Sequence, residues 1–76
     1  MKKQSIDTVL RVKLKHRPGQ LAKLATAVAA EGAMLGDIAT LRIGEEDTLR
    51  EVTVETADDA HTDRVIERIS EKFESL

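Results

Sequence analysis

The chain has 76 residues, enough for one small domain with a thin core. Twelve Lys and Arg stand against 14 Asp and Glu, a net charge of -2 with no block of one sign, which argues against an electrostatic nucleic-acid binder. No cysteine is present, and the two histidines lie far apart at 16 and 61, so disulfides, a thiolate nucleophile and a zinc site drop out, and no metal or cofactor is expected.

Residues 1–7 read as an N-terminal tail and 8–76 as the domain. The tail's two lysines lead into a charged, alternating run instead of an apolar segment, so no signal peptide is expected. No later run reaches the length that spans a bilayer. A cytoplasmic protein, without membrane partners, is the expectation.

In TVLRVKLKH (8–16), Leu10, Val12 and Leu14 share one phase and Arg11, Lys13 and Lys15 the other, which predicts a strand buried on one side. Pro18 fixes its own φ and biases Arg17 toward extended backbone, so the strand stops there. Leu21, Leu24, Ala25, Val28 and Ala29 then recur at helical spacing, with Gln20, Lys23 and Thr26 opposite, and Gly32 is the expected C-terminal cap. In MLGDIATLRIG (34–44), apolar residues occupy both phases, Ile38 on one and Ala39, Leu41 and Ile43 on the other, the pattern of a strand covered on both sides.

Gly44 and Asp47 in GEEDT predict a hairpin turn. In LREVTVE (49–55), Val52 and Val54 alternate with Glu51, Thr53 and Glu55, a third strand whose acidic outer phase complements the basic outer phase of the first. Asp58 or Asp59 is the expected N-cap of a second helix. Its apolar face is Val65, Ile66, Ile69 and Phe73, and it is predicted to run nearly to Leu76, with Arg64, Glu67, Arg68, Glu71 and Lys72 on the wet side.

The order strand, helix, strand, strand, helix has few compact solutions. The first and second strands should be parallel, joined by a right-handed crossover, with the third between them and antiparallel to both. Both helices then cover one face. This is an α+β, ferredoxin-like split βαβ sandwich, read here as βαββα with the fourth strand of βαββαβ missing. The domain is accordingly expected to be truncated before its last strand, and the bare edge this leaves invites association.

The stretch RVKLKHRPGQLAKLATAVAAEGAMLGDIATLRIG, followed by LREVTVET and DDAHTDRVIERI, resembles the ACT domain, a small regulatory ligand-binding module. The likeness covers roughly residues 8 to 76 and rests most on Arg17-Pro18-Gly19-x-Leu21 and on Gly36-Asp37-Ile38. The variant with GDI and REVTV looks most like the ACT domain at the N-terminus of some bacterial and archaeal NAD-dependent malic enzymes. The resemblance implies a regulatory, non-catalytic domain of a larger metabolic enzyme, the parent an oxidoreductase of that kind. It further implies pairing through sheet edges, as a homodimer or higher homo-oligomer, with an amino acid or small carboxylate effector at or near the interface. Carried onto this chain, His16, Arg17, Gly19, Gln20 and Leu21 would form one wall of the pocket, and Gly36, Asp37 and Ile38 of a neighbouring copy the other. Serine-binding members often carry Asn or Asp two residues before the proline and Asn before the isoleucine, where this chain has His16 and Asp37, so the ligand stays open.

The residues make chemical sense by themselves. A helix beginning at Gly19 presents unpaired N–H groups to a carboxylate, Arg17 can add charge-assisted hydrogen bonds, and Asp37 suits an ammonium group. Plainer readings stand beside these. Pro18 and Gly19 can simply turn the chain, Gly36 can mark a bulge or close packing, and Asp37 can be a turn residue. His16 is expected to hydrogen-bond at the strand end, and His61 to lie exposed in a first helical turn. The apolar phase of the second strand is expected to be buried against a second copy. Against the regulatory module stands a dimerisation scaffold that has lost its ligand. An acylphosphatase-like hydrolase lacks convergent catalytic groups, and a nucleic-acid-binding sheet lacks aromatics.

Overall fold

The computed structural model describes residues 5–75, so the first four residues of the expected tail lie outside the described residues. The elements are β1 (Ile6–Lys15), α1 (Gln20–Ala30), β2 (Met34–Ile43), β3 (Asp47–Thr56), α2 (Asp59–Lys72) and β4 (Glu74–Ser75). One sheet has the order β2-β3-β1-β4. β3 runs antiparallel to both β1 and β2, which leaves β1 and β2 parallel. The fold is α+β with the split βαβ arrangement that the element order predicts. A fourth strand is present in short form: Glu74 and Ser75 pair with Lys13 and Val12 of β1.

The alternation of β1 builds the core. Val12 and Leu14 are buried, and on β3 Val52 and Val54 lie on the same face. Leu24, Ala27 and Val28 of α1 and Val65, Ile69 and Phe73 at the end of α2 cover them. Side chains on the other face of the sheet meet as the charge pattern predicts. Arg11 pairs in register with Glu51 and approaches its carboxylate at 3.4 Å, and Lys15 reaches Asp47 at 3.8 Å.

Each helix has an identifiable start and stop. Asp58 caps α2, its carboxylate accepting the backbone N–H of His61 at 2.8 Å. α1 ends at Gly32, whose φ of +73° lets its N–H reach the Ala29 carbonyl while that of Ala33 reaches Val28, the double bond of a Schellman motif. α2 ends at Lys72, well short of Leu76, because the chain turns extended at Phe73 to join the sheet.

Three expectations change. β1 and β3 both begin two residues earlier than the alternation suggests, because pairing continues from Ile6↔Thr56 to Lys15↔Asp47 through residues of mixed polarity. β2 is not covered on both sides within the chain: only Leu35 is even half-buried, and Met34 and Ile43 are 66% and 67% exposed. Irregularities between Leu35 and Ile38 and between Thr40 and Arg42 break its phase, so Ile43 pairs with Thr48 and Ala39 with Glu51 on opposite faces. His61 is buried, 8% exposed, because its ring fills the joint between the two helices. Nδ1 accepts the Ala57 N–H at 2.9 Å and Nε2 donates to the Glu31 carbonyl at 2.6 Å.

Candidate functional site

The bend between β1 and α1 is built by two residues. Pro18 restricts the backbone, and Gly19 follows at φ 86°, ψ -8°, the values of the third position of a type II turn that only glycine adopts without strain. Gly19 is also the N-cap of α1 and has no side chain to cap it. The first intrahelical bond runs from Lys23 N–H to the Gly19 carbonyl at 3.1 Å, so the N–H groups of Gln20 and Leu21 precede the ladder.

Beneath this bend lies a cleft of about 380 Å³. Its lining includes His16, Arg17, Gly19, Gln20 and Leu21 from the turn, with Leu14 from β1 and Thr48 and Arg50 from β3. Five of the eight candidate residues therefore meet around one cavity. Gly36, Asp37 and Ile38 do not line it; they lie on β2, where Gly36 and Asp37 occupy the irregular stretch between Leu35 and Ile38. A Cβ at Gly36 would meet the Thr53 carbonyl oxygen at 3.4 Å, an ordinary van der Waals contact, so the space around this position does not by itself demand glycine.

The wall of the cleft is pinned to the β2–β3 hairpin. The His16 N–H donates to the Glu46 carbonyl at 2.8 Å, and its Nδ1 lies 3.0 Å from the Thr48 hydroxyl. Strand-end bonding of this kind is what the position of His16 predicts.

Arg50 is the residue that sequence reasoning passes over. It occupies the buried phase of β3 with Val52 and Val54, half-buried opposite Val12, and lines the cleft. Its Nη1 donates to the Thr40 hydroxyl at 2.6 Å, while its Nε is buried and meets no acceptor among the described residues. A cation on the apolar phase of an otherwise alternating strand is the signal that could have found it. The cleft's lining thus carries Lys15, Arg17 and Arg50 and no carboxylate. Such a surface can hold an anion by charge and by directed N–H groups.

Among the described residues, no group of three or more His, Asp and Glu is placed to hold a metal ion, and no helix is long and apolar enough to cross a membrane. A comparison with protein-family models and with curated proteins finds no match for the chain.

Proposed function

We propose that the chain is a regulatory module that binds an amino acid or related small carboxylate in the cleft beneath the Arg17-Pro18-Gly19 turn. The carrying observation is that this cleft gathers His16, Arg17, Gly19, Gln20 and Leu21, the wall named from sequence, around a space of small-metabolite size. In this reading the chain itself performs no catalysis. It belongs, as an ACT-like domain, to a cytoplasmic metabolic enzyme of the NAD-dependent malic enzyme kind. A second copy approaches the β2 edge and brings Gly36, Asp37 and Ile38 toward the ligand. Control of the attached enzyme requires the ligand to prefer one arrangement of the copies, with a coupling of about 1–3 kcal/mol in such systems.

Calorimetric titration with the amino acids and common small carboxylic acids tests this. A saturable heat, together with a rise in unfolding temperature, supports it; silence with every compound overturns it.

The second reading is a dimerisation scaffold without a ligand. It is favoured by the exposure of Met34, Ile38, Leu41 and Ile43 along β2, an apolar edge that a second copy would cover. It predicts self-association in sedimentation and no heat with any compound.

A further inference from the structure

We infer that the cleft selects a small organic dicarboxylate over a zwitterionic amino acid, and that Arg50 is the residue that makes the selection. This rests on the binding reading above and narrows it to a chemical class.

The first ground is the charge of the lining. Arg17 and Arg50 line the cleft, Lys15 borders it from the strand phase that turns to the open face, and the other polar groups of the lining are those of His16, Gln20 and Thr48 together with backbone. Among the described residues neither arginine is tied to a carboxylate, while Lys15 reaches that of Asp47 at 3.8 Å on the open face. An ammonium group entering this space meets two guanidinium-bearing residues and no carboxylate in the lining. Asp37, the acidic residue that would receive it, lies on β2 outside the cleft.

The second ground is that the anion-binding groups fall at two places. One is the start of α1, where the Gln20 and Leu21 N–H groups precede the helical ladder and Arg17 stands beside them. The other is Arg50 on β3. A single inorganic anion satisfies one place; a molecule with a carboxylate at each end satisfies both.

The third ground is the state of the Arg50 guanidinium. Thr40 holds its Nη1, so the side chain is oriented, while Nε has no acceptor among the described residues. With Nη1 held and Nε enclosed, the guanidinium is fixed in orientation, and a carboxylate in the cleft would meet its remaining nitrogen, Nη2, as a directed donor where lysine offers a mobile point charge.

The test uses the full chain with four probes: succinate, L-aspartate, L-serine and inorganic phosphate. Succinate should bind at least about tenfold more tightly than L-serine, and Arg50→Gln should weaken succinate by at least about tenfold while its circular dichroism is retained. Arg50→Lys, which keeps the charge, should also weaken succinate, and it carries the test where Arg50→Gln does not fold. L-aspartate, which adds an ammonium group to succinate, should bind less tightly than succinate. L-serine or L-aspartate binding as tightly as succinate, or succinate binding that is indifferent to both Arg50 variants, overturns the inference and leaves the regulatory reading standing. Phosphate equal to succinate overturns the two-ended ligand. Silence with all four probes and with the wider compound set overturns both.

Discussion

Gly19 and Gly32 form a matched pair of probes, one at the mouth of the cleft and one at the far end of the same helix. Both stand at positive φ, 86° and 73°, and a Cβ built at either meets nothing within 4 Å. An alanine at either position is opposed by its own backbone alone. The left-handed conformation costs a non-glycine residue about 1–2 kcal/mol. Alanine's narrower unfolded ensemble offsets part of that, leaving a net destabilisation of about 1 kcal/mol at each site. In a domain of this size that lowers the unfolding midpoint by about 4–8 °C. Urea unfolding of Gly19→Ala and Gly32→Ala should give the same loss within error and an unchanged slope, and Asn at either position should recover part of it. Binding should separate the pair. Titrated with succinate where both variants are fully folded, Gly19→Ala should bind more weakly, because its turn aims the Gln20 and Leu21 N–H groups, and Gly32→Ala should bind as the parent does. A loss above about 3 kcal/mol at either glycine would mean a clash and not backbone strain. Equal weakening of binding by both would show that the turn acts only through global stability.

His61→Ala removes the acceptor of the Ala57 N–H and the donor to the Glu31 carbonyl, and should cost about 2 kcal/mol or more in urea unfolding with the circular dichroism retained; a cost below about 0.5 kcal/mol contradicts the role given to that ring. Glu31→Gln releases Arg68, held at 2.7 Å, and Arg64, at 3.7 Å, but both guanidinium side chains are more than a third exposed, so the loss should be about 0.5–1 kcal/mol. That loss should shrink at high salt, and a salt-independent cost speaks against an electrostatic origin. Ile43→Lys, at a residue 67% exposed, should leave monomer stability within about 0.5 kcal/mol and reduce self-association in sedimentation; unchanged association would remove this part of β2 from any interface.

The fold was legible because its core obeys two simple periods. Leu10, Val12 and Leu14 alternate with cations, Val52 and Val54 alternate with acids, and Val65, Ile69 and Phe73 recur at helical spacing. β2 resisted because its irregular stretches at 35–38 and 40–42 shift the phase, which no count of alternation registers. Helical spacing puts Leu21 and Ala29 on the apolar face of α1, but both are exposed and Ala27 is buried, so the buried stripe runs through Leu24, Ala27 and Val28. The position of His61 in a first helical turn predicts exposure; its burial depends on α1 ending directly above it, a tertiary fact. On the site, the turn was visible in Pro18 and Gly19, whose backbone demands are local. Arg50 was not, since a long polar side chain on a buried phase looks like noise until the cleft it lines is seen.

The register of β1 on β3 decides whether the cleft has a cationic wall at all. Pairing Leu14 with Thr48 and Val12 with Arg50 puts Arg50 on the helix side; a slip by one residue would turn it to the open face and bring Glu51 in. Polar contacts at the hairpin end oppose that slip: the Glu46 carbonyl and Thr48 hydroxyl on His16, and Asp47 on Lys15. Partly buried hydrogen bonds and exposed ion pairs of this kind contribute about 1 kcal/mol each. Val52 and Val54, both fully buried, would each forfeit about 1.5–3 kcal/mol if turned to water. Burial therefore chooses the register, and the polar contacts refine it. The turn adds one constraint, since the Gly44 N–H bonds the Asp47 carbonyl at 2.8 Å and a Cβ at Gly44 would sit 3.0 Å from that oxygen. The aliphatic core thus sets the charge of the cleft from a distance, by fixing which phase of β3 faces the helices.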